Sequence, residues 1–171
     1  MKLPCGTIII GALALAGIGL ALASFAPPRP ALVWNFTASA PLGLYRVLDR
    51  PWVRGDWVVV RPSSELGRVL SQFDVLERGR FLVKQVAAAE GDQVCRSGAD
   101  ISINGDVVVR AQSVTSSGRA LPAWDGCRML AADEVFLLGR AEGSFDGRYF
   151  GATPTHGIVA PVAPIPLPWT H

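Results

Sequence analysis

The stretch "RFLVKQVAAAEGDQV", residues 80–94, decides how this chain is read. It has the apolar content of a buried strand, yet Lys84 stands in its middle. Phe81, Leu82 and Val83 precede the lysine; Val86, Ala87, Ala88 and Ala89 follow it. Lysine is seldom buried without a partner. Burial disfavours its charged form and lowers its pKa. A neutral lysine is a base, so the strand raises the question of a nucleophile elsewhere in the chain.

The 171 residues of the chain suffice for one domain with a core of its own. A net charge of +2 gives no case for a nucleic-acid binder. Hydrophobic residues make up 50% of the chain and the mean hydropathy is +0.32. Much of this comes from residues 6–26, "GTIIIGALALAGIGLALASFA", in a stretch without charge between Lys2 and Arg29. That is the length of a membrane-spanning helix. A cleaved signal peptide is the alternative, with Ala21–Ala23 as its cleavage site, but the run exceeds the usual signal core. The length favours an anchor, with residues 1–5 inside and an exported part from residue 27 onward. Cys5 precedes the apolar run, whereas Cys95 and Cys127 lie in the exported part. An oxidising compartment favours one Cys95–Cys127 disulfide over two free thiols. No CxxC motif or histidine cluster argues for a metal, and no cofactor is expected.

The exported part reads as mainly β with little helix. "LVWNFTASAPLGLYRVL" has strand-like ends around a Ser, Ala, Pro and Gly centre. "GDWVVVRP" (55–62) is a β-branched strand. Leu66, Val69, Leu70, Phe73 and Leu76 are spaced for a short helix, capped by Ser63 or Ser64 and ended by Gly79. Asn104-Gly105 between alternating runs predicts a hairpin. Residues 111–128 read as a long loop, 134–140 and 157–162 as strands. The tail 163–171 holds too many prolines for a helix or a central strand.

Two nucleophile arrangements can be weighed. A Ser-His-Asp triad would have to use His156, and no GxSxG-type elbow accompanies it. A Ser-Lys pair follows the same logic with Lys84 as base. Ser63, Ser64, Ser71, Ser97, Ser113, Ser116 and Ser117 lie in helix or loop contexts. Ser39 differs: it sits in "NFTASAPLGLYR", soon after the apolar segment, with Pro41 and Gly43 shaping the backbone. An ordinary turn serine remains the alternative reading on local sequence.

"TASAP" after an N-terminal apolar run, then "LVKQVAAAEGD", then "GSFDGRYFG" together resemble the bacterial type I signal peptidases. "NFTASAPLGLYR" with "SFDGRYFG" is more similar to the TraF-type conjugative transfer peptidases of that clan. The resemblance implies a signal-peptidase-like β fold behind one transmembrane helix. It implies Ser39 as nucleophile and Lys84 as general base. Thr37 and the Ser39 N–H would form the oxyanion hole, where one donor contributes about 3–4 kcal/mol. Ser144 would orient the lysine, and Asp146 and Arg148 would pair to brace its loop. Asp92, eight residues after Lys84 and next to Gly91, would hold a turn. Tyr149 and Phe150 would be core or groove aromatics. The chain departs from the signal peptidase pattern with Ala40, Gln85 and Gly147 where Met, Arg and Ser are usual.

The function so implied is membrane-anchored serine endopeptidase activity that matures a conjugative pilin precursor after small residues, with cyclisation as one outcome. Expected surroundings are the bilayer, components of a conjugation or type IV secretion apparatus, and the periplasmic face of the inner membrane. Two alternatives stand beside it. One is an accessory signal peptidase for exported preproteins. The other is a non-catalytic, membrane-anchored assembly protein, in which Lys84 would be a surface residue.

Overall fold

A computed structural model describes residues 31–73 and 81–166. The anchor at 6–26 and Gly79 lie outside the described residues, but the helix expected to reach Gly79 ends earlier, at Gln72 with Phe73 as its C-cap. Among the described residues no helix is long and apolar enough to cross a membrane.

The strands are β1 (Leu32–Asn35), β2 (Gly43–Val47), β3 (Trp57–Val60), β4 (Leu82–Ala88), β5 (Gln93–Ser97), β6 (Asp100–Ile103), β7 (Asp106–Arg110), β8 (Gly126–Met129), β9 (Glu134–Leu138), β10 (Thr153–Pro154) and β11 (Ile158–Pro164). The helices are α1 (Ser64–Gln72) and the single turn α2 (Gly147–Phe150). Seven strands form one antiparallel sheet in the order β1-β2-β11-β3-β4-β9-β10, and four form a second in the order β7-β6-β5-β8. The expectation of a mainly β chain with little helix holds for this part.

Strand period places side chains. On β4, Leu82, Lys84 and Val86 share one face and Val83 turns to the other. Leu82 and Val86 join Val58, Val60, Leu70, Val135, Leu137, Phe145 and Tyr149 in the largest apolar cluster. Val83 packs instead with Ala40, Tyr45, Val59 and Val162 beneath the β1–β2 end. Val58 stands directly across from Lys84. The lysine is therefore built into a core wall, with only 2% of its surface exposed.

Local expectations are met where chemistry is local. Ser63 caps α1 by accepting a hydrogen bond from Leu66 N. Asn104 and Gly105 both take positive φ, 53° and 93°, between β6 and β7, as a tight hairpin requires. Asp92 accepts from Ala89 N at 2.9 Å and from the Asn104 amide at 2.7 Å, so it ties the end of β4 to the hairpin.

Two expectations are corrected. Residues 111–128 are not all loop: Gly126–Met129 is β8, paired to β5. It was hidden because all four residues are exposed, so no alternation marks them. The tail prolines also do not exclude a central strand. β11 runs to Pro164 and lies between β2 and β3. Pro161 contributes its carbonyl, which accepts from Leu48 N at 2.9 Å. Pro164 sits at the strand end, where β2 is its partner. Neither position needs the missing N–H.

Cys95 and Cys127 face each other across β5 and β8 and form the disulfide, closing a sequence separation of 32. In the chain-entropy picture such a loop is worth roughly 3–4 kcal/mol.

Candidate active site

The strand end of β1 begins the site. Asn35 is buried, and its side-chain amide donates to Thr37 O at 2.8 Å, Ala40 O at 3.0 Å and Pro41 O at 3.1 Å. Its carbonyl oxygen accepts from Thr37 N at 3.2 Å and Thr37 Oγ1 at 3.0 Å. One side chain thus holds five polar groups of the 36–42 turn. Tyr45 Oη adds a bond to Pro41 O at 2.7 Å, and Arg140 N donates to Ser39 O at 2.7 Å. Ser39 is held at the surface of the core, 8% exposed. Its Oγ lies 2.7 Å from Thr37 Oγ1.

Lys84 approaches from β4. Its Nζ donates to Ser144 Oγ at 2.7 Å. Burial pushes its pKa down to about 8, against an ordinary 10.5; Asp146 opposes this shift and Arg148 adds to it. A base with that pKa is neutral in a usable fraction at physiological pH.

Gly139, just after β9, lets the pieces meet. A Cβ there would overlap Ser144 Oγ and lie 2.7 Å from Ser144 Cβ and 2.9 Å from Ser39 Cβ. Ser39 and Ser144 therefore converge over a position where a Cβ would displace both side chains. We expect Gly139→Ala to cut peptidase activity by about a hundredfold while the protein still folds, read from cleavage rate beside melting temperature. Wild-type activity in that variant would mean that the close approach is dispensable.

Behind Ser144 lies a buried ion pair. Asp146 is fully buried and accepts from Gly139 N at 2.7 Å and from Arg148 Nη2 at 2.7 Å and Nε at 2.9 Å. Arg148 also donates to the carbonyls of Gly139, Ala141 and Glu142. Asp146 and Arg148, paired as the resemblance implied, reach both ends of the 139–146 loop. Gly147 is closely packed, which suits a residue without a side chain. A Cβ at 147 would stand 2.8 Å from Leu137 O. Tyr149 is a core aromatic, stacked on Phe145 at 5.0 Å.

The structure brings Ser39, Thr37, Lys84, Ser144, Asp146 and Arg148 to one place. The hydrogen bonds of Ser39 and Lys84 run to different partners, Thr37 and Ser144. Sequence reasoning missed Asn35 and Gly139. Asn35 lies in the quoted "NFTASAP" stretch and could have been weighed there; nothing local marks Gly139.

Residues 5–165 match the family described as signal peptidase, peptidase S26. The chain belongs to this family. It is 31% identical over 147 residues to the plasmid transfer protein TraF of Escherichia coli, covering 79% of this chain and 82% of that one. It is 32% identical over 136 residues to a probable conjugal transfer protein TraF of Sinorhizobium fredii, covering 73% and 71%. A solved signal peptidase I of Enterococcus faecalis is similar at a TM-score of 0.40 and 17% identity, covering 67% of this chain and 98% of that one. As an S26 peptidase with TraF relatives, the chain is a serine peptidase related to conjugal transfer proteins.

Proposed function

We propose that this S26 peptidase is a membrane-anchored endopeptidase that uses Ser39 as nucleophile and Lys84 as general base to mature a conjugative pilin precursor. The observation that carries the dyad is a lysine with 2% exposure, donating to Ser144, whose side chain meets Ser39 over Gly139. The non-catalytic alternative needs Lys84 at the surface, and burial opposes it.

The chemistry follows. Ser39 Oγ attacks the scissile carbonyl carbon and its proton passes to Lys84 Nζ. The C–N bond breaks, and the lysine returns the proton to the leaving amine. An ester on Ser39 remains until water, or the substrate's own amino terminus, attacks it. Water yields a linear product and the amine a cyclic one. The oxyanion is met by the Ser39 N–H and, after rotation, by the Thr37 hydroxyl. The Ser39 N–H makes no hydrogen bond among the described residues. Small side chains are expected before the scissile bond.

In this reading residues 6–26 anchor the enzyme in the inner membrane, 1–5 are cytoplasmic, and 27–162 form the periplasmic domain ahead of the 163–171 tail. Exposed Trp34, Phe36 and Leu42 flank the nucleophile turn, consistent with work beside apolar material. Partners would be the precursor, the bilayer and other conjugation components.

With a base near pKa 8, activity should rise about tenfold per pH unit below pH 8 and level off above it. A kcat/KM profile from pH 6 to 9.5 checks this, and a flat profile through pH 7–9 would contradict the assignment. The substrate is tested by offering the full chain in detergent a candidate pilin precursor and an exported preprotein. Mass spectrometry should find the pilin cut faster, and a product one water lighter than the linear chain marks cyclisation. Preferential cutting of the preprotein would indicate an accessory signal peptidase.

A further inference from the structure

We infer that Asn35 is a positioning residue that sets the direction of both hydroxyls in the nucleophile turn. This rests on the reading of Ser39 as nucleophile. Three backbone carbonyls face the Asn35 nitrogen, at Thr37, Ala40 and Pro41. Carbonyls only accept, so that atom must be the NH2 end and its orientation is fixed. The other end is then an acceptor, and it receives Thr37 N and Thr37 Oγ1.

A consequence follows for the protons. Thr37 has one hydroxyl hydrogen, and Asn35 Oδ1 can receive it but cannot donate in return. In the 2.7 Å contact between Thr37 Oγ1 and Ser39 Oγ, the donor is therefore Ser39. The Ser39 proton points at Thr37 in the resting site, while Lys84 is bonded to Ser144.

Catalysis requires this pattern to change at two points. Ser39 must release Thr37 so that its proton can reach Lys84. Thr37 must release Asn35 so that its own proton can meet an oxyanion. Rotation of the Thr37 hydroxyl away from Asn35 accompanies the first step, because an arriving substrate oxygen takes the place of Asn35 Oδ1 as acceptor. Asn35 thus keeps the turn in register and holds the hydroxyls in an unreactive order until substrate arrives. The three anchored carbonyls carry the positioning, and the Thr37 bond carries the polarity.

The test is a double-mutant cycle on the full chain in detergent, using the precursor that the wild type processes. Asn35→Ala is expected to lower kcat about ten- to a hundredfold with KM changed by less than about threefold, because a misplaced nucleophile affects the transition state more than binding. Thr37→Val should lower kcat similarly, and Thr37→Ser should retain it. The combined variant should lose less than the product of the two single losses, since both remove the contact between Asn35 and the Thr37 hydroxyl. Asn35→Ser replaces Asn35→Ala in the cycle if the latter melts below the assay temperature. Unchanged kcat in a folded Asn35 variant, or fully multiplicative losses in the double variant, would overturn the inference. Ser39→Ala is run alongside. If it still processes substrate, the serine-peptidase reading itself fails; if it is inactive while Asn35→Ala is normal, only this inference fails.

Discussion

Lys84→Met should abolish peptidase activity and raise the melting temperature in the same protein. The activity loss follows from removing the proposed base; single members of such catalytic sets cost several orders of magnitude in kcat. The stability gain follows from burial. A lysine held at pKa about 8, against an ordinary 10.5, destabilises the fold by about 3 kcal/mol where it is charged in both states. The sign can be followed with pH. Below about pH 8 the full penalty applies, because the folded state must carry a buried charge. Between pH 8 and 10.5 the folded protein holds the lysine neutral while the unfolded chain still binds the proton, so stability recovers as pH rises. Methionine fills similar volume with no charge to bury. It forfeits the bond to Ser144, a loss of about 1–2 kcal/mol. The net gain should raise the melting temperature by a few degrees at pH 7. The gap between variant and wild type should shrink toward pH 10. A lower melting temperature in Lys84→Met at pH 7 would show that the lysine is not under this strain.

The second large effect concerns the ion pair behind the site. Asp146→Ala should destabilise the protein by about 3–5 kcal/mol, because it leaves the Arg148 charge buried and unpaired. Asp146 is 0% exposed and Arg148 is 2% exposed, so water cannot compensate. The loss also frees Gly139 N and removes the N-cap of α2, which accepts from Arg148 N at 3.1 Å. Against a typical stability of about 5–15 kcal/mol, much of the folded margin would go. Chemical denaturation measures this directly. Asp146→Ala combined with Arg148→Met should be less harmful than Asp146→Ala alone, since the orphaned charge is gone. A double variant as unstable as the sum of both singles would place the cost in packing instead of charge.

What could be read from sequence follows the range of each interaction. Lys84 was legible because strand period and apolar neighbours act within a few residues. The 104–105 hairpin was legible because positive φ favours Asn and Gly themselves. The Ser39 turn was visible as composition, and its proposed partnership with Lys84 came through resemblance. Gly139 was not visible: its meaning comes from Ser39, a hundred positions away, and from Ser144, which meet above it only after the sheet has formed. Asn35 looked like the polar end of a strand, and its five bonds exist only once the turn has closed. β8 lacked alternation because its side chains do not enter a core. Pro164 in the tail suggested an end to pairing, yet it sits at the strand end, where its N–H is not needed.

The most direct measurement is cleavage of a candidate pilin precursor in detergent by the wild type, Ser39→Ala and Lys84→Ala, with products read by mass spectrometry. A processed product from the wild type and none from either variant is the predicted result. Processing at the wild-type rate by either variant would contradict the Ser39–Lys84 assignment.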